Sequence, residues 1–266
     1  MFHSYRYKQY KNMLVTVEDN IAIVQFNRPK ALNAVNEEML NERLEILRGV
    51  AQDSEVRVVI LTGGEKVFCA GGDLVSFSQY GVIEARQFAD LVLAHHRLLA
   101  ELPKPTIAAV AGYAFGGGME NVLLCDLRIA ADNAKFALPE INVGIFPGGG
   151  GTQRLPQNVS LCRAKEMVFF GEPIDAHTAL ALGIINRVVP LAELMDTAKA
   201  WAKKLVKKPP LALRLAKMAL NAAWSCDIET GLRLESDAWA MVFGTQDQKE
   251  GMRAFLEKRK PVFKGC

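Results

Sequence analysis

The chain has 266 residues, 50% of them hydrophobic and 23% charged, with a formal net charge of +3. Those values are ordinary for a globular protein and exclude a disordered, collagen-like or highly charged chain. No long run of like charges marks a nucleic-acid surface, no window approaches the roughly 20 apolar residues that span a bilayer, and the scattered cysteines have neither CxxC nor Cys/His spacing. Neither a disulfide frame nor a metal site is expected. The first 13 residues lack the apolar stretch of a signal peptide, so the expected compartment is the cytoplasm.

Short β-branched runs then alternate with helical patterns. Residues 14–17 and 21–26 read as strands. Residues 36–50 read as a helix with Leu40, Leu44 and Leu47 on one face, Asn36 as its cap, and Glu37 and Glu38 in the positive first turn. A strand at 56–61 precedes a second helix, 84–102, that carries Phe88, Leu91, Leu98 and Leu102 at similar spacing. His95 and His96 lie on this helix with no acidic or nucleophilic partner in a recognisable pattern, and they read as core or surface histidines rather than a catalytic base. Strands are expected at 106–110, 127–131 and 184–189. Several of them are apolar without alternation, the pattern of strands covered on both faces of a parallel sheet, so the fold class is α/β.

After Pro190 the texture changes to four amphipathic helices, 191–208, 211–224, 228–243 and 245–260, broken at Pro209-Pro210, Asp227 and Gly244. The chain therefore divides into a core of residues 1–190 and a helical region of residues 191–266. Without a strand, the second part must pack on the first or on another subunit.

Glycine gathers in three places: Gly71-Gly72, Gly116-Gly117-Gly118 and residues 148–151. None has the GK[ST] ending of a phosphate loop or the GxGxxG of a dinucleotide fold. The second cluster runs from a turn, Gly112-Tyr113-Ala114-Phe115, into the helical stretch 119–126. That places the Gly117 N–H at a positive helix end, suited to charge developing on a carbonyl oxygen. Gly72 is the candidate second donor of an oxyanion hole, each donor worth about 3 kcal/mol in the transition state; two ordinary tight turns are the alternative. Beside these turns stand Glu120 and Glu140. Singly, the first also reads as a dipole-complementing acid and the second as a surface turn residue.

Five motifs in order resemble the crotonase superfamily, best known for its enoyl-CoA hydratases. They are Asn27-Arg28-Pro29-Lys30-Ala31-Leu32-Asn33-Ala34, Phe68-Cys69-Ala70-Gly71-Gly72-Asp73-Leu74, Lys104-Pro105 to Asp126 through Gly116-Gly117-Gly118-Met119-Glu120, Pro139-Glu140 to Arg154, and Glu257-Lys258-Arg259-Lys260. The resemblance implies a spiral of β-β-α units, with the C-terminal helices assembling a homotrimer and pairing two trimers into a hexamer. It implies that Gly72 and Gly117 donate their N–H groups to the thioester oxygen of an acyl-CoA.

It also implies hydration of a trans-2-enoyl-CoA to the 3-hydroxyacyl-CoA, because hydratases of the family are similar in having both glutamates, here Glu120 and Glu140. Water must lose a proton to a base as its oxygen adds to the β-carbon while the α-carbon gains a proton, and two carboxyl groups around one water can do both. Close together, they share a proton near neutrality. The alternatives are a double-bond isomerase, another acyl-CoA lyase of the superfamily, or an RNA-binding homologue, for which only the small stripe Lys203-Lys204 and Lys207-Lys208 speaks.

Coenzyme A enters as part of the substrate, and no prosthetic group, metal, nucleic acid or membrane is implied. By the same resemblance the backbone of Ala70, Gly71, Asp73 and Leu74, with Ala31 nearby, meets the adenine. Arg28 and Lys30 approach the phosphates, and Phe255 and Lys258 reach a CoA of this or the neighbouring subunit. Residues 77–83 and 85–93 line the pocket of the acyl tail. Many hydratases have alanine in place of Gly72, which keeps the N–H, and lysine in place of Val75, whose absence removes a CoA contact.

Overall fold

In the computed structural model, which describes residues 4–266, strands and helices alternate along the first two-thirds of the chain. The strands are β1 (Met13–Glu18), β2 (Ile21–Phe26), β3 (Val58–Thr62), β4 (Thr106–Val110), β5 (Tyr113–Phe115), β6 (Leu127–Ala131), β7 (Lys135–Ala137), β8 (Ile174–Asp175) and β9 (Arg187–Val189). The helices of this part are α1 (Glu37–Gln52), α2 (Leu74–Phe77), α3 (Val82–Ala100), α4 (Gly117–Leu124), α5 (Gly151–Arg154), α6 (Leu161–Phe170) and α7 (Ala176–Ala181). After them come α8 (Leu194–Val206), α9 (Pro210–Ala222), α10 (Ile228–Val242) and α11 (Gln246–Leu256).

A six-stranded sheet in the order β1-β2-β3-β4-β6-β9 forms the centre. Only its first pair is antiparallel; the others are parallel. Every residue of β3 and β4 is buried, as their unbroken apolar runs require. Side chains alternate between two cores: Val59 and Leu61 face α1, α3 and α4, while Val58, Ile60, Ile107 and Ala109 face Leu194, Ala198 and Ala202 of α8.

A second, short sheet in the order β5-β7-β8 creates the spiral. The turns β4-β5-α4 and β6-β7 followed by the helical segments after 138 each give one strand to the long sheet and one to the short sheet. Parallel bridges Val35–Gly72 and Cys69–Ala114 continue the short layer toward the N-terminus. Cys69 N–H donates to Tyr113 O and Phe115 N–H to Cys69 O, each at 2.9 Å. This pairing lays the segment that ends in Gly71-Gly72 beside the one that ends in Gly116-Gly117.

The pattern-based elements differ from the structure mostly at their ends. Residues 113–115, expected as a turn, are strand β5, whose three residues are stabilised by pairing rather than by any pattern of their own. The helix expected to open at Gly117 and run to 126 opens there and ends at Leu124, and the helix expected from 84 begins at Val82, because Glu84 accepts a hydrogen bond from Gly81 N–H at 2.9 Å. The strand expected over 184–189 is confined to Arg187–Val189, and residues 191–193 form a 3-10 turn before α8. No sequence pattern marks α2, α5, α6, α7, β7 or β8. Asn36 does cap α1, accepting from Met39 N–H at 3.0 Å.

Of the C-terminal helices, α8 seals one face of the sheet. α9 and α10 pack on each other, with no buried residue in α9 and only Ala238 in α10. Leu220, Trp224, Ile228 and Trp239 remain exposed there. Among the described residues no helix is long and apolar enough to cross a membrane.

Candidate active site

Two glycine turns meet where the short layer ends. A Cβ on Gly118 would stand 2.1 Å from Cys69 O, so the approach of α4 to the 69–72 segment is possible only with glycine there. Gly71 and Gly116 both adopt positive φ, 116° and 51°, which L side chains rarely tolerate. The bridge to Val35 uses Gly71 O and Asp73 N–H and leaves the Gly72 N–H without a backbone acceptor. Gly117 opens α4, so its N–H has no partner within the helix. The spot above the Gly117 Cα lies 3.9 Å from Gly72 N, so the two donors belong to one site.

Two carboxyl groups share that site. Glu120, in the first turn of α4, is 4% exposed, and its Oε1 accepts from Gly149 N–H and Gly151 N–H, each at 2.8 Å. Burial raises its pKa, while the two amides and the Arg154 charge oppose the rise. Glu140 comes from the 3-10 turn Pro139–Val143. Burial pushes its pKa up to about 7, and the Glu120 charge adds to the rise. Its Oε2 is buried with no hydrogen-bond partner, and its Oε1 lies 3.1 Å from the space a Gly116 Cβ would occupy.

Gly72, Gly117, Glu120 and Glu140 all line one cavity of about 550 Å³, together with Ala70, Gly71 and Leu74. Its apolar wall comes from Phe77, Tyr80, Ala85, Phe88, Ala89 and Val92, within the segments expected to surround an acyl tail. The Phe77 and Phe88 rings meet edge to face at 5.0 Å.

The other predicted binding residues lie outside this lining. Arg28 donates to Asp73 Oδ2 at 3.0 Å and to Ala34 O at 2.5 Å, tying its loop to the start of α2. Asp73 Oδ1 in turn accepts from Val75 N–H at 3.2 Å. Lys30 is exposed and Ala31 partly so. Phe255 is 82% exposed at the end of α11, and Lys258 is exposed with φ 54°. Lys203, in the lysine stripe, pairs with Asp19 at 2.9 Å.

Sequence reasoning missed four contributors. The amides of Gly149 and Gly151, in a glycine cluster to which the sequence alone gives no role, grip Glu120. His96 lines the cavity, and its place four and eight residues after Val92 and Phe88, on the same helix face, was the available signal. Asn121 also lines it. Its Oδ1 accepts from the buried Arg43 guanidinium and its Nδ2 donates to Gly117 O.

The model of a family described as enoyl-CoA hydratase/isomerase matches residues 16–266 of this chain. The chain is 47% identical over 250 residues to a short-chain-enoyl-CoA hydratase of Clostridium acetobutylicum, covering 94% of this chain and 96% of that one. It is 44% identical to a crotonyl-CoA hydratase of Syntrophomonas wolfei, covering 96% and 98%. Among solved structures, an enoyl-CoA hydratase from Bacillus anthracis superposes with a TM-score of 0.92 at 39% identity, covering 96% of this chain and 100% of the other.

Proposed function

The chain belongs to the enoyl-CoA hydratase/isomerase family and is an enoyl-CoA hydratase, and from that premise we propose how its residues carry the reaction. The observation that bears most weight is the meeting of two unpaired backbone N–H groups and two carboxyl groups on one cavity.

Glu120 is the base. Two amide donors stabilise its charged form, whereas the buried Glu140 Oε2 has no donor at all, so the proton of the pair resides on Glu140 at neutral pH. Glu120 takes a proton from a bound water as the water oxygen bonds to the β-carbon. The electron pair of the double bond moves toward the thioester, whose oxygen gains charge beneath the Gly72 and Gly117 N–H groups. Glu140 then gives its proton to the α-carbon. The sum is one water added, and exchange with solvent returns both carboxyls to their starting states.

The substrate is a CoA thioester. Its adenine rests on the backbone of residues 70–74 near Ala31. Its phosphates lie toward Lys30 and the outer side of Arg28, whose guanidinium also braces Asp73. The names of the similar hydratases support a short acyl chain, and so does a tail wall narrowed by Phe77, Tyr80 and Phe88. The bare apolar faces of α9 and α10 support assembly of the 191–266 region into a trimer or a pair of trimers, in which Phe255 and Lys258 reach a neighbour's CoA. The compartment we assign is the cytoplasm.

The test is loss of the 2-enoyl-CoA absorbance with Glu120→Gln and Glu140→Gln. Each substitution lowers turnover by at least roughly 100-fold while substrate still binds, as removal of a general acid or base does. Full activity in both variants rejects the assignment. Turnover of a 3-enoyl-CoA in preference to the 2-enoyl isomer redirects it to isomerisation.

A further inference from the structure

The reaction described above leaves two buried histidines unused. His95 and His96 sit next to each other on α3, with ring centroids 5.3 Å apart. His95 has no hydrogen-bond partner at either nitrogen. His96 is different: its Nδ1 lies 2.5 Å from Gly149 O. A carbonyl can only accept, so Nδ1 carries the hydrogen and donates it. Burial and the neighbouring Arg43 guanidinium push the His96 pKa down to about 3, so the ring is neutral at physiological pH and this is its single N–H.

Gly149 is the residue whose own N–H donates to Glu120 Oε1. A Cβ placed on it would fall 2.3 Å from Glu120 Oε2 and 2.8 Å from His96 Cε1, so imidazole and carboxylate close on the Gly149 Cα with no room for a side chain between them. The loop that presents Gly149 contains Gly144, Gly148, Gly149 and Gly150, and Gly144 and Gly150 adopt positive φ. A run so rich in glycine has little stiffness of its own. Its shape needs an anchor from a rigid element, and α3 supplies one.

We propose that His96 is a positioning residue for Glu120: its Nδ1–H holds the Gly149 carbonyl, in the peptide after the Gly149 Cα, and so fixes the glycine backbone whose own N–H, in the peptide before, points at the carboxylate. The inference rests on the assignment of Glu120 as the base. His96 acts through the loop, and burial, with the Arg43 charge as a second cause, keeps the ring neutral with one hydrogen to place.

Three variants and one spectrum test it. His96→Phe keeps an aromatic ring and removes the donor, whereas His96→Asn puts an amide N–H close to where Nδ1 stood. With His96→Phe, kcat for hydration falls by roughly 10- to 100-fold at little change in KM, the scale on which small misplacements act. The acid limb of the kcat profile also moves to higher pH, because Glu120 loses an aligned donor. His96→Asn recovers most of both. On a Glu120→Gln background the His96→Phe change has no further effect.

An unchanged kcat and profile in His96→Phe overturns the inference. So does an equal fall in both His96 variants with the acid limb unmoved, the result of simple packing loss. A fully active Glu120→Gln enzyme would instead overturn the role of Glu120 itself. Nitrogen-15 spectra of the unaltered protein, which need no variant to fold, show His96 hydrogen-bearing at Nδ1 and bare at Nε2 near pH 6; an Nε2–H tautomer or a charged ring there also overturns the inference.

Discussion

The cavity has two unlike walls. The wall to which we assign the chemistry frames two carboxyl groups with backbone: the turns at 71–72 and 116–117, the start of α4, and the 149–151 amides, held by hydrogen bonds to buried neighbours. The wall to which we assign the acyl tail is made of side chains on α2 and α3 and the segment between them. There Val75, Val82 and Ile83 are largely exposed, and the ring contacts among Phe77, Tyr80 and Phe88 do the packing. The contrast follows from what each wall must do. Stabilising charge on one oxygen needs donors that do not reorganise, whereas accepting an apolar chain needs only area and shape.

The first way to break this comparison is to disturb the rigid wall. Gly149→Ala drives a methyl group into Glu120 and His96, and it lowers kcat by about 100-fold while circular dichroism shows an intact fold. Retention of wild-type kcat would mean that the wall is as adaptable as the other.

The second concerns the apolar wall. Phe88→Ala enlarges the tail pocket and shifts the ratio of kcat/KM toward longer 2-enoyl-CoA substrates by roughly 1–3 kcal/mol per methylene accommodated, with kcat for the shortest substrate nearly unchanged. Rates across a series of chain lengths measure it.

A pH series gives the third effect, set by Glu140. Its pKa in the folded chain is raised from 4.5 to about 7, so hydration slows about tenfold per pH unit once the pH passes about 7 and the acid is lost. The sign for stability is also defined. Between these two values the folded chain holds a proton that the unfolded chain has released, so stability falls as pH rises from about 4.5 through about 7 and is then flat. Glu140→Gln removes that slope, which Tm measured at pH 5 and pH 8 reports.

The smallest effect tests the outer rim. Val75 is 80% exposed, and Val75→Lys places a cation where the resemblance puts a CoA contact. KM falls by less than about fivefold, an exposed ion pair being worth 0–1 kcal/mol at most, and the gain disappears at high salt.

The sequence by itself determined the α/β class, the buried parallel strands, the cap of α1 and the starts of α1 and α10, and it brought forward the two acids and two glycines to which we assign the chemistry. Those features depend on neighbours in the chain: alternation, helical spacing, a capping side chain, a helix end. The short strands β5, β7 and β8 exist only through pairing across the spiral, and nothing in three consecutive residues announces that. The same holds for the grip of Gly149 and Gly151 on Glu120, 29 and 31 residues away, and for the His96 bond to a carbonyl 53 residues further on. The electrostatic difference between Glu120 and Glu140 was likewise decided by the tertiary structure alone, because burial and the number of amide donors at each oxygen are properties of the packed chain.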